Sequence, residues 1–134
     1  LTLRQEHAFR VRDLMRADAD LALVETMNTV REAVAALGAC RAGNLPALVS
    51  FTLNERGRLP SEESLADAVA AVLPIGPKAV LVNCCSVDVA TSGLDILADV
   101  SPLPRGAYAN GIGSPDAELG WKFDGSGTAR DPYR

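Results

Sequence analysis

Four short apolar runs, each followed by a stretch of helical periodicity, recur along the chain, and this repeat limits the folds open to it. The runs are Leu21–Val24, Pro46–Thr52, Ala79–Val82 and the weaker Gly106–Asn110. Their C-terminal ends fall at Glu25, Thr52, Cys84 and Asn110, at intervals of 27, 32 and 26 residues. Strands that are apolar on both faces and alternate with helices belong to a parallel sheet. A near-regular βα period suits a barrel or a doubly wound sheet. No Gly-x-Gly-x-x-Gly follows any of the runs, and Gly111-Ile112-Gly113 lacks the third glycine, so a dinucleotide fold has no positive support.

The helices between the runs carry their own start signals. Thr2 and Gln5 have capping-box spacing ahead of a helix over Leu3–Arg16, whose apolar stripe is Ala8, Val11, Leu14 and Met15. Thr29 and Glu32 repeat that spacing before a second helix that buries Val30, Ala33, Val34, Leu37 and Cys40 and stops at Gly43. Ser61, with Glu62 and Glu63 behind it, caps the third helix, and Leu65, Val69, Val72 and Leu73 form its stripe. Pro74, Gly76 and Pro77 end that helix, and Ser86 caps the fourth, with Val89, Leu94 and Leu97 inward.

Composition agrees with a core built from Ala, Val and Leu. Hydrophobic residues make up 48% and charged residues 22%, which is too apolar for a disordered chain, while aromatics are only 4%. A net charge of -4 without a basic cluster makes nucleic acid and anionic membrane poor guesses for a partner. No apolar run approaches the ~20 residues that cross a bilayer, and no signal-peptide pattern is present. Three cysteines, an odd number, argue against a disulfide framework and for a reducing cytoplasm. The 134 residues fall short of the ~250 of a complete (β/α)8 barrel. The chain opens inside a helical pattern and closes at Asp131–Arg134 without a helix, so a fragment cut at both ends is the expectation.

In parallel α/β folds the working residues stand at the C-terminal ends of strands. Those positions hold Glu25, Ser50 and Thr52, Asn83 and Cys84, and Tyr108 and Asn110. Glu25 is either a solvated loop acid or a carboxylate that holds a cationic group such as an ammonium. Cys84 is either an inert buried thiol or a strand-end ligand, and its neighbour Cys85 diverges from it. Cys40 lies about 11 residues along its helix from Thr29, roughly 16 Å from the strand-end face, too far to share a metal with Cys84. His7, the single histidine, sits near the polar face of the first helix, so no Ser-His-Asp or Cys-His engine has a base.

The runs Asp20–Thr26 with Glu32-Ala33, then Val49-Ser50-Phe51-Thr52 with Gly57-Arg58-Leu59 and Ser64-Leu65-x-x-Ala68-Val69, resemble the homocysteine-binding domain of the homocysteine S-methyltransferases. So do Val82-Asn83-Cys84 and Tyr108-Ala109-Asn110-Gly111, and the set falls in family order over nearly the whole chain. The resemblance implies an α/β fold: a partial (β/α)8 TIM barrel, roughly strands four to seven, with residues 1–134 the central part of one homocysteine-binding domain. It implies a zinc ion held by three cysteines, of which Cys84 matches the one in the Asn-Cys motif. The other two, in a Gly-Gly-Cys-Cys motif, have no counterpart here.

By the same resemblance Glu25, Ser50, Thr52 and Asn110 line the substrate pocket. Homocysteine takes the open fourth position on the metal, is held there as a thiolate, and accepts a methyl group from a small-molecule donor to give methionine. The donor is not legible in these residues. The alternative is a non-catalytic βα-repeat fragment or a truncated product without activity. An aldolase or phosphate-binding barrel would need a strand-end lysine or a glycine-rich loop, and Lys78 begins a strand rather than ending one.

Overall fold

The structure, a computed structural model, describes residues 2–110, 113–116 and 120–123. Gly111 of the Tyr108–Gly111 run and the Asp131–Arg134 segment lie outside them. Helices and strands alternate as the sequence predicts: α1 (Leu3–Arg16), β1 (Ala22–Met27), α2 (Val30–Ala42), β2 (Ala47–Thr52), α3 (Leu65–Val72), β3 (Val80–Asn83), α4 (Val87–Val100) and β4 (Arg105–Tyr108). A short antiparallel pair follows, β5 (Gly113–Asp116) with β6 (Gly120–Phe123). The four main strands form one parallel sheet in the order β1-β2-β3-β4. Strands adjacent in sequence are therefore adjacent in space, as is usual for short βαβ connections.

One face of this sheet is covered by helices, with α2 on β1 and β2 and α4 on β3 and β4. That face carries Ala22, Val24, Val49, Phe51, Val80 and Val82, all buried. Gly93 of α4 lets the helix close on β3, since a Cβ there would lie 3.2 Å from a Val82 methyl. The other face carries Leu23, Leu48 and Leu81 along the strands, with Glu25, Ser50, Asn83 and Tyr108 toward their C-terminal ends. It is open: Leu23 is 45% exposed, and Leu21 just before it is 48%.

The helix starts are partly as expected. Thr2 and Gln5 make the full capping box, and Ser86 caps α4. Thr29 accepts from the Glu32 amide, but the return bond of a capping box is absent there. The Val30 amide instead donates to Glu63 in the β2–α3 loop, at 2.9 Å. Ser61 does not cap α3. Glu62 adopts a left-handed φ of 68°, which interrupts any helix at that point, and the Ser61 amide donates to the Asn28 carbonyl. The cap is Ser64, which accepts from Asp67.

Gly43 also works differently from the expectation. Its φ is -84°, so it is not a left-handed stop; Asn44, at 55°, is the left-handed residue. Glycine is needed at 43 because a Cβ would come within 2.8 Å of Val11 on α1. Only Val11 of the α1 stripe is buried, while Leu14 and Met15 stay exposed. His7 is half-buried rather than solvated, and its Nε2 is buried without a partner among the described residues.

Among the described residues Phe51 is the largest fully buried side chain. Phe51→Ala is expected to lower stability by about 3–5 kcal/mol in a protein carrying this segment, measured by urea unfolding. A loss below about 1 kcal/mol, the scale of a surface change, would show that the helix-facing side of β2 is not the centre of the core.

Candidate active site at the strand ends

Two residues at the strand ends hold backbone conformations that side chains disfavour. Thr26 has φ 59° and Cys84 has φ 52°. Thr26 sits where the β1–β2 register slips, between Val24 and Met27. A β-branched residue in the left-handed region is an outlier that costs about 1–3 kcal/mol, and it persists only where its surroundings over-determine it.

Asn83 supplies those surroundings. Its side chain is fully buried at the end of β3, between the two strained residues. Nδ2 donates to Thr26 Oγ1 at 2.7 Å and to Cys84 Sγ at 3.1 Å. Oδ1 accepts from the Thr26 amide at 3.3 Å and from Ser50 Oγ at 2.6 Å. The Thr26 hydroxyl also lies 3.9 Å from the Cys84 sulfur. Thr52 Oγ1 donates to the Cys84 carbonyl at 3.3 Å, and the Cys84 amide donates to the Tyr108 carbonyl at 3.3 Å.

Glu25 is exposed on the same side of the sheet and accepts a 3.0 Å hydrogen bond from the Tyr108 hydroxyl. Burial raises the Tyr108 phenol above its ordinary pKa, ahead of the opposing Ser50 hydrogen bond and the reinforcing Glu25 carboxylate. Tyr108 is therefore a neutral donor at physiological pH.

Glu25, Ser50, Thr52 and Cys84 thus come together at one end of the sheet. Ser50 is completely buried, and its hydroxyl donates to Asn83 Oδ1 at 2.6 Å. Asn110 stands beside them just past β4, half-buried, its amide donating to the Cys85 carbonyl at 2.9 Å.

The three thiols divide by environment. Cys84 is exposed; Cys40 and Cys85 are buried. Burial pushes both buried thiols above their ordinary pKa, outweighing the backbone hydrogen bonds that lower it. Cys40 lines a cleft with Asn44, Pro46, Ala47 and Lys78, at the N-terminal ends of the strands and away from Cys84. Among the described residues no three His, Cys, Asp or Glu side chains are grouped so that they could hold a metal ion.

Three participants were not assigned from sequence: Thr26, Asn83 and Tyr108. Asn83 and Tyr108 were visible as strand-end polar residues, but their partners lie 57 and 83 positions away. Nothing in the local pattern signals the left-handed turn at Thr26.

The family model for homocysteine S-methyltransferase matches residues 2–130, and the chain belongs to that family. Among solved structures it is similar to the homocysteine methyltransferase MmuM from Escherichia coli. The apo form is 30% identical, with a TM-score of 0.75 over 81% of this chain and 42% of that one. The metallated form is 28% identical, with a TM-score of 0.73 over 82% of this chain and 40% of that one. The chain therefore spans about two-fifths of the length of these structures. No curated protein matches it.

Native protein is expected to react with iodoacetamide at Cys84 alone, with Cys40 and Cys85 labelled only on unfolding, as peptide mapping would show. Fast native labelling of Cys85 would contradict its burial. The two raised thiols keep their protons in the folded state at pH values where the unfolded chain loses them. Their contribution to stability is thus complete below the unfolded thiol pKa of about 8.5 and declines as pH rises through and beyond it.

Proposed function

We propose that this chain is the central part of a single (β/α)8 barrel domain, roughly strands four to seven, that transfers a methyl group to the thiol of homocysteine and yields methionine with the help of a bound zinc ion. The observation that carries the reading is the exposed Cys84 sulfur at the strand-end mouth, held by donors and sharing that mouth with the Glu25 carboxylate. Family membership supports it, and the metallated form of the neighbouring MmuM supports a metal.

The donor chemistry fits zinc at one corner. Cys84 is an exposed thiol at the strand-end mouth with an N–H donor behind it, and sulfur is a ligand type that zinc takes. Cys84 supplies one ligand, and the remaining two come from outside this segment. Bound zinc supplies the acidity that keeps a coordinating thiol deprotonated at neutral pH.

The residues of the chain do the rest. Glu25 binds the substrate ammonium through a charge-assisted hydrogen bond, and Tyr108 holds the carboxylate toward it. Thr52 pins the backbone of Cys84, Ser50 braces Asn83, and Asn110 closes the pocket beside Cys85. With the amino end held, the homocysteine sulfur faces the donor's methyl carbon. The new S–CH3 bond forms as the bond from methyl to its donor breaks, and the donor leaves with that electron pair. Alignment of this kind is the protein's main contribution to the rate. The substrates are homocysteine and a small-molecule methyl donor, and the odd, unpaired cysteines suit a cytoplasmic setting. Among the described residues no helix is long and apolar enough to cross a membrane.

In the complete protein Cys84→Ser should lose zinc and methionine formation together, by metal analysis and a methylation assay. Glu25→Gln should raise KM for homocysteine by about 10-fold or more, the scale of a lost charged hydrogen bond. A fully active Cys84→Ser protein would end the ligand assignment, and an unchanged KM in Glu25→Gln would end the ammonium assignment.

A further inference from the structure

We propose that Asn83 is a positioning residue for the Cys84 sulfur, so that its amide, and not the cysteine alone, sets how this chain presents a ligand to the metal. The inference rests on the reading of Cys84 as a ligand and deepens it.

An Asn amide has two N–H donors and an oxygen with two lone pairs. In Asn83 all four are used, on Thr26 Oγ1, Cys84 Sγ, the Thr26 amide and Ser50 Oγ. The amide cannot be turned over without loss, because the Thr26 backbone N–H only donates and must face the oxygen. Nδ2 is thereby obliged to face the sulfur at 3.1 Å. The Thr26 hydroxyl accepts from Nδ2, which leaves its own proton free to point at the same sulfur, 3.9 Å away.

The sulfur thus meets hydrogen-bond donors on its protein side, while its residue is exposed at the mouth. Metal ligands are commonly oriented by such outer partners, and losing one weakens metal binding about 10- to 100-fold. The amide also joins the ends of three strands. Ser50 is on β2, Asn83 on β3, and Thr26 on the slipped segment of β1. Both residues that Nδ2 touches, Thr26 and Cys84, are left-handed.

Asn83→Asp is close to isosteric. It keeps the acceptor toward Ser50 and the Thr26 amide but puts an oxygen where Nδ2 faced the sulfur. In the complete protein, zinc affinity measured by chelator competition should fall about 10- to 100-fold. The thiolate-to-metal absorption band of the cobalt-loaded protein should shift or weaken. kcat should fall with little change in KM for homocysteine, because Glu25 is untouched, and the urea midpoint should show that the variant is folded. A folded Asn83→Asp protein with wild-type zinc affinity and an unchanged cobalt band overturns the inference.

Should the variant not fold, the cadmium-loaded wild type decides. One Asn83 side-chain proton should show scalar coupling to the metal through the sulfur, and its absence in the loaded protein overturns the proposal. The two readings fail separately. If Cys84→Ser keeps its zinc, the ligand assignment falls and this inference with it. If Cys84→Ser loses zinc while Asn83→Asp keeps it, only the role of Asn83 falls.

Discussion

The arrangement at the strand ends depends on one buried amide with no unmet hydrogen-bonding capacity. A buried polar side chain is tolerated when every donor and acceptor is matched and is costly when one is not. Asn83, at the end of β3, meets that condition with partners on β1, on β2 and in the residue that follows it. Its burial is thus a constraint on register: a one-residue slip of β1, β2 or β3 would break the set and turn alternate side chains to the other face. The site and the sheet are specified by the same four bonds.

Strain at Thr26 and Cys84 follows from this arrangement. A regular β1 would carry residue 26 away from the mouth, since successive side chains alternate between faces. The irregularity after Val24 and the left-handed φ bring the Thr26 hydroxyl back within reach of Asn83 and the sulfur. Departures from regular strand geometry next to active sites re-aim side chains in this way. Tyr108 completes the rim from the fourth strand by donating to Glu25, so every one of the four strands contributes at least one polar group to a mouth that is apolar further down.

Much of this was legible in sequence, for physical reasons. Capping residues such as Thr2 and Ser86 act on amides two or three positions away, so local spacing is enough to find them. The parallel order of the strands follows from the alternation of apolar runs with helices, and the cluster of Glu25, Thr52 and Cys84 follows from where those runs end. Ser61 misled because a Ser followed by two acids is a good cap in isolation. The Asn28 carbonyl and the left-handed Glu62 outcompete it, and both belong to tertiary structure. The Thr29 cap was half right for the same reason, its second partner arriving from Glu63, more than thirty residues on. The left-handed turns at Thr26 and Cys84 had no local signal, because neither residue favours that conformation.

The carboxylate of Glu63 has a consequence for how such a chain can be recombined. It sits in the loop after β2 yet satisfies the first amide of α2, the helix of the preceding unit, and the neighbouring Ser61 amide reaches back to Asn28. A graft that exchanged the β2–α3 unit for that of another barrel would strip an acceptor from a helix it did not replace. The natural seams for shuffling therefore do not coincide with the visible βα repeat. A workable module would run from β1 through the Glu63 loop, so that donor and acceptor travel together.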